Sequence, residues 1–254
     1  MNAFSIFATC KPFVGEMAYI QENAIRSWLT LEPRVDLVLI GDDSGAKEIS
    51  GRLGCRFYAD VERAFCGAPL FNSLFALGQQ LAKHDVVCYL NADLIVLQDF
   101  ADALCHVAAN FEWFLMIGKH WRVGAGGLLD FRPGWQQGLK QSLAQHSKPT
   151  ALDYFGFRRG LYVDDLPEYA MGYYCWDTFL MWDAMCREVP VVDVSSVVTV
   201  VHQEHKKYAP QSERGDLNQV IHKRVGVNRG AIKAGNPAQA QFVLLANGTI
   251  QCRY

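Results

Sequence analysis

The chain has 254 residues, half hydrophobic and a fifth charged, which is enough to bury a sizeable core. Its 24 basic and 26 acidic side chains nearly cancel, and a formal charge of −2 excludes an electrostatic nucleic-acid binder. Eight cysteines occur without a CxxC pair, several inside apolar runs such as Val86–Leu90, which points to core thiols in a reducing, cytoplasmic compartment.

Phe4 to Ala8 is a short apolar run closed by Thr9-Cys10-Lys11-Pro12, a strand followed by a turn. From Glu16 to Leu31 apolar residues recur at three- and four-residue intervals, which predicts a helix. Val35 to Ile40 is the next strand and ends at Gly41-Asp42-Asp43-Ser44-Gly45; a helix and a short strand at Cys55–Tyr58 follow. Leu70 to Leu81 has helical period, and Val86 to Leu90 is a strand buried on both faces that ends in Asn91-Ala92-Asp93. The segment 64–82 carries no charge, but Pro69, Asn72 and paired glutamines make it a helix entry and not a membrane span; the N-terminus lacks the pattern of a signal peptide. Peripheral membrane contact stays open.

Alternating strands and helices imply an α/β fold with a doubly wound, mostly parallel sheet, whose ligand crevice lies beyond the carboxyl ends of the strands. Three polar clusters occupy those ends: Thr9 with Lys11, Asp42 with Asp43, and Asn91 with Asp93. A dinucleotide fingerprint would place GxGxxG where Thr9-Cys10-Lys11-Pro12 stands, so an NAD enzyme is disfavoured. Further on, Trp113–Ile117, Gly126–Phe131, Val191–Val194 and Val197–Val201 are predicted strands, and Gln136–Gln145 and Trp176–Cys186 predicted helices. No linker or repeat interrupts the chain. One domain over 1–254 is expected, with a nucleotide-binding half (1–110), an acceptor-side extension (111–214) and a tail (215–254) without an assigned role.

Asp93 is the strongest single candidate for chemistry. A carboxylate ending a buried strand can hold Mg²⁺ or Mn²⁺ at the crevice mouth, or merely cap the following turn. In Val200-Val201-His202-Gln203-Glu204-His205-Lys206-Lys207, two histidines three residues apart follow a strand. No third zinc ligand stands at suitable spacing, which disfavours zinc. In Met171-Gly172-Tyr173-Tyr174-Cys175-Trp176-Asp177, Asp177 begins a helix, where an acid is stabilised whatever its function. Tyr173, Tyr174 and Trp176 suit either a sugar-stacking platform or the core.

The stretch from Asn72 through Phe100 resembles GT-A glycosyltransferases, whose sheet carries an Asp-x-Asp metal motif after a buried strand. Here the motif reads Asn91-Ala92-Asp93, with an amide in place of the first acid. The resemblance covers roughly Phe4 to His205 and implies transfer of a sugar from a nucleotide-sugar donor to an acceptor hydroxyl, with inversion. It implies Asp93 as direct metal ligand, joined by His202 and next by His205. It implies Asn91 near the ribose or a metal-bound water, Thr9 and Lys11 in the nucleotide turn, and Asp42 or Asp43 at the base. Asn72 would lie near the donor, Lys119 to Arg122 along a pocket wall, and Lys206 and Lys207 near the diphosphate. Asp177 would be the catalytic base, with Tyr173, Tyr174 and Trp176 on the acceptor side and Asp153, Arg158, Arg159 and Asp164 in an acceptor loop. Mixed nitrogen and oxygen ligation favours Mn²⁺ over Mg²⁺. Two alternatives remain: a sugar-phosphate nucleotidyltransferase, for which a glycine-rich basic loop is missing, and a catalytically silent carbohydrate- or nucleotide-binding module, which the altered Asn91 motif allows.

Overall fold

The computed structural model describes residues 3–146, 149–163, 165–205, 211–225 and 236–254. The first half alternates as expected: β1 (Phe4–Ala8), α1 (Glu16–Leu29), β2 (Asp36–Ile40), α2 (Ala46–Leu53), β3 (Arg56–Tyr58), α3 (Phe71–Leu81) and β4 (Val86–Leu90). Strands β1, β2, β3 and β4 pair in parallel, because each returns through a helix that covers one sheet face. Then follow β5 (Leu94–Val96), α4 (Gln98–Asn110), β6 (Leu115–Gly124), α5 (Trp135–Leu143), β7 (Thr150–Arg158) and α6 (Trp176–Cys186). The chain closes with β8 (Val191–Asp193), β9 (Val200–Glu204), α7 (Gln211–Arg224), a single 3₁₀ turn (Pro237–Gln239), β10 (Phe242–Leu244) and β11 (Ile250–Cys252).

The main sheet runs β11-β10-β8-β6-β7-β4-β1-β2-β3, mostly parallel, with β7 inserted antiparallel between β4 and β6. Strand β6 is long enough to serve two sheets. Its first half pairs with β8, and its second half, after a register shift at Gly118–His120, pairs with β9, which in turn pairs antiparallel with β5. That branch sets β9 beside the end of β4. On one sheet face Trp28, Phe100 and Leu104 pack beneath α1 and α4; on the other, Phe71, Phe75, Trp176 and Phe179 pack beneath α3 and α6.

Two segments differ from the sequence reading. Residues 126–131 form a loop and not a strand, since Gly127 turns at φ 103° and the loop hangs on Asn23 of α1. Asp153 and Arg158 lie on β7, not in an acceptor loop. Arg158 pairs with Val86 at the opposite end of β4 from Asn91 and bonds the carbonyls of Ala108 and Glu112, while Arg159 pairs with Asp85. Asp164, Lys206 and Lys207 lie outside the described residues. Among the described residues every cysteine is a free thiol, and no helix is long and apolar enough to cross a membrane.

Close approach of α3 to β1 depends on Gly78. A Cβ there would stand 2.3 Å from Phe7 Cδ2, and Phe75, Tyr89 and Phe157 surround that ring at centroid distances of 5.2, 5.5 and 6.3 Å. Gly78→Ala gains about 1 kcal/mol of helix propensity. The overpacking loss of about 1–3 kcal/mol should outweigh it, because the ring has nowhere to move. We expect a net loss of up to about 2 kcal/mol in urea unfolding; an unchanged midpoint would mean that the core yields at this point.

Candidate active site

The carboxyl ends of β1 and β4 open into a cavity of about 430 Å³ lined by Thr9, Lys11, Asp43, Asn91, Asp93 and Tyr173 among others. The position is the one a doubly wound sheet dictates. Each polar group is fixed by its neighbours. The turn after β1 is held from α1, where Gln21 Oε1 accepts the Lys11 N–H at 2.6 Å and Gln21 Nε2 donates to the Lys11 carbonyl at 2.8 Å. Tyr89 Oη donates to Asn91 Oδ1 at 2.9 Å. Arg63 Nη2 donates to Asp42 Oδ1 at 2.7 Å and Asp43 Oδ2 at 2.9 Å. Of that pair, Asp43 and Arg63 line the cavity, whereas the Asp42 side chain is 70% exposed. Gly41, at φ 114°, lets these groups converge: a Cβ there would press Thr9 Oγ1, Arg63 Nη2 and Asp43 Oδ2 at 3.3–3.4 Å.

Asp93, one of the cavity-lining residues, is buried, with His202 Nε2 3.4 Å and His205 Nε2 3.2 Å from its Oδ2. Lys11 Nζ lies 3.4 Å from His205 Nε2. The antiparallel register that sets Leu94 opposite His202 produces this meeting. Burial alone would raise the Asp93 carboxyl. Hydrogen bonds from both imidazoles and the nearby charges of His202 and Lys11 outweigh it and hold the group well below the usual carboxylate range. Burial would likewise lower His202, but the hydrogen bond and charge of Asp93 raise it.

The residues fit a divalent cation. One ligand atom from each of Asp93, His202 and His205 lies within 4.8 Å of the others, and Asp93 Oδ1 is buried with no hydrogen-bond partner among the described residues. A buried charged oxygen without a partner is costly unless a cation or donor meets it. Thr9 Oγ1, at the cavity wall, is orphaned in the same way.

A second layer stands behind this cluster. His120, fully buried, stacks on the His202 ring at 5.1 Å, and its Nδ1 lies 3.2 Å from Asp153 Oδ2. Burial, then the charges of His202 and Arg122, push His120 down to about 3. Burial, then the charge of Asp93 and more weakly that of Asp177, push Asp153 up to about 8. At neutral pH the pair is therefore a carboxylic acid beside a neutral imidazole and not an ion pair.

Asp177 sits in the first turn of α6, after Cys175 at the unusual φ of 94°. Burial raises its carboxyl, partly offset by N–H groups of the helix start. The segment before it is clamped by α7. Asn218, fully buried, accepts the Ala170 N–H at 2.8 Å and donates to the carbonyls of Ala170 at 3.0 Å and Tyr174 at 2.9 Å. The tail thus carries one wall of the crevice, with Tyr173 on it and Tyr174 45% exposed beside it. Trp176 points the other way. It is 5% exposed and packs on Phe71, Tyr89 and Phe155, so it serves the core and not an acceptor platform. Asn72 lines a different cavity with Asp60 and Glu62, and Lys119 is absent from the crevice lining, its N–H donating to Ser195 Oγ at 2.9 Å. The sequence reading passed over Arg63 and Gln21, although the adjacent acids Asp42 and Asp43 already called for a nearby cation.

No protein-family model matches the sequence, and no curated protein matches it. Solved structures do. The fragment 1–349 of TarS from S. aureus, in complex with UDP-GlcNAc, superposes with a TM-score of 0.55 at 12% identity over 88% of this chain and 66% of that one. Glucosyl-3-phosphoglycerate synthase from Mycobacterium tuberculosis, in complex with Mn²⁺, UDP and glucosyl-3-phosphoglycerate, gives 0.54 at 14% identity over 99% and 87%. The chain has the GT-A glycosyltransferase fold. It spans about two-thirds of the TarS fragment, so the match speaks for the shared sheet and not for the whole of that protein.

The Asp153 shift has a testable sign. The folded chain keeps a proton on Asp153 that an unfolded carboxyl, titrating near 4, releases, so folding loses stability as pH rises from about 4 to about 8. Asp153→Asn removes that loss. With chelator present, its melting temperature should gain steadily on that of the unaltered protein across this window; a constant gap would show that the carboxyl is ordinary.

Proposed function

We propose that the chain transfers a sugar from a nucleotide-sugar donor to an acceptor hydroxyl, with inversion, and that Asp93, His202 and His205 hold a divalent cation. The observation that carries this reading is Asp93 itself, a buried carboxylate in the cavity lining with one oxygen between two imidazoles and the other without a hydrogen-bond partner among the described residues. Two nitrogen ligands with one carboxylate favour Mn²⁺ over Mg²⁺. A cation bound there supplies positive charge to a diphosphate leaving group.

The protein's own groups do the rest. Lys11 adds a positive charge beside the cation ligands, and the orphaned Thr9 hydroxyl and the Asn91 amide offer hydrogen bonds to the donor. Asp43, oriented by Arg63, is the acid assigned to the nucleoside. Both neighbouring structures hold a uridine nucleotide, which makes a UDP-sugar the proposed donor. Asp177 takes the proton of the acceptor hydroxyl as that oxygen bonds to the anomeric carbon and the carbon–diphosphate oxygen bond breaks. Its raised carboxyl suits a general base, since burial increases its affinity for the proton it must take. Tyr173 and the exposed Tyr174 ring offer flat faces to the acceptor.

Calorimetric titration with UDP-, GDP-, dTDP- and CMP-sugars, each with and without Mn²⁺, tests the donor. A UDP-sugar should bind with Mn²⁺ enhancement, and Asp93→Ala should abolish the enhancement; enhancement that survives the substitution removes Asp93 from the metal site. Asp177→Asn should cut transfer by about 10²–10⁴-fold with donor affinity kept. Saturable donor binding with no turnover on any hydroxyl acceptor would instead identify a binding module, the reading that the amide at Asn91 leaves open.

A further inference from the structure

The two segments that bring the cation ligands together, around Asp93 and around His202–His205, are 110 residues apart in the chain and touch along a short antiparallel pair. Three paired residues are a weak device for fixing ligand atoms, so the register needs a second fastening. Gln203, between the two histidines, supplies one. Strand alternation turns its side chain away from that of His202. Its backbone N–H donates to the Asp93 carbonyl at 3.1 Å, and its Nε2 donates to the same carbonyl at 3.3 Å and to the Ile20 carbonyl of α1 at 2.8 Å. Its Oε1 accepts from Asn23 Nδ2 at 2.9 Å. Asn23 in turn donates to the Gly127 carbonyl at 2.8 Å and accepts the Leu129 N–H at 2.8 Å.

Both amides are buried, at 4% and 1% exposure, and each donor hydrogen and carbonyl oxygen of the pair is used. A fully satisfied buried network admits one geometry, whereas a slipped register would orphan every member. The same helix also carries Gln21, which fixes the Lys11 turn from its next residue but one.

We infer that Gln203, locked by Asn23, is the positioning residue of the cation site: it fixes the Asp93 backbone against the two histidines and so preorganises the ligand atoms without touching the ion. This rests on the metal reading above. Groups behind the direct ligands of a metal commonly govern affinity by about 10–100-fold.

The test is Mn²⁺ affinity by calorimetry, with the electron paramagnetic resonance spectrum of bound Mn²⁺ as a readout of ligand geometry and thermal melting as a control for folding. Gln203→Met keeps the side chain's length and removes its hydrogen bonds. It should weaken Mn²⁺ binding at least about tenfold and broaden the spectrum. Asn23→Leu, which leaves Gln203 in place but unlocked, should have a smaller effect in the same direction, and it carries the test should Gln203→Met not fold. Tyr162→Phe removes a buried hydrogen bond to the Leu180 carbonyl on the far sheet face and should leave Mn²⁺ affinity unchanged despite lower stability. An unaltered protein that binds no Mn²⁺ overturns the metal reading and this inference with it. Binding by the unaltered protein that the folded Gln203→Met, or failing that Asn23→Leu, matches within experimental error overturns the inference alone, as does an equal loss in Tyr162→Phe.

Discussion

The charge of Asp93 is the constraint around which the crevice is arranged. A carboxylate at this depth is costly to ionise unless positive or hydrogen-bonding groups face it. The fold meets that requirement from three directions, with His202 and His205 on β9 and just beyond it, and Lys11 on the turn after β1. Each provider depends on a feature that would otherwise look incidental. The division of β6 between two sheets brings β9 to the end of β4, and the Gln21 amide fixes the Lys11 turn. Behind the cluster, burial and then the charge of Asp93 push the Asp153 carboxyl up to about 8.

Three carboxyls within one electrostatic field are thereby sorted by their surroundings. Asp93 is held ionised by its imidazoles, Asp153 is held neutral beside His120, and Asp177 is raised at a helix start whose N–H groups limit the shift. Environments that separate carboxyl affinities are how one site can contain a charge-holding group and a proton-accepting group at the same pH. The arrangement also gives a reason for the amide at position 91. Asn91 and Asp93 line the same cavity, so an acid at 91 would add a further negative group to it. Asn91 keeps the shape and accepts the Tyr89 hydroxyl without that charge.

Local chemistry was legible in the sequence wherever it was encoded locally. The buried run Val86–Leu90 ending at Asp93, the helix Trp176–Cys186 and the polar turn after Phe4–Ala8 could each be read from a dozen residues. What escaped was non-local pairing. Thr150–Arg158 has charged and glycine residues that suggest a loop, yet it is a strand because β4 and β6 flank it on both sides. Trp176 sits next to Asp177 in the chain, but one residue along a helix is about 100° of rotation, enough to send one side chain to the core and leave the other partly exposed. Asn72 fails for the same reason, since its place on α3 is sequentially close to the motif strand but faces another cavity.

The loss of the first acid of the motif also changes the charge of the site. An Asp-x-Asp pair brings two carboxylates to the motif strand, whereas the set of Asp93, His202 and His205 contains one. A divalent cation held by this set would keep more of its positive charge for the phosphates of a donor. Imidazole ligands also suit Mg²⁺ less well than oxygen ligands do. Within the set, Asp93 Oδ2 faces both rings, while its Oδ1 has no hydrogen-bond partner among the described residues and is the oxygen most in need of a positive group.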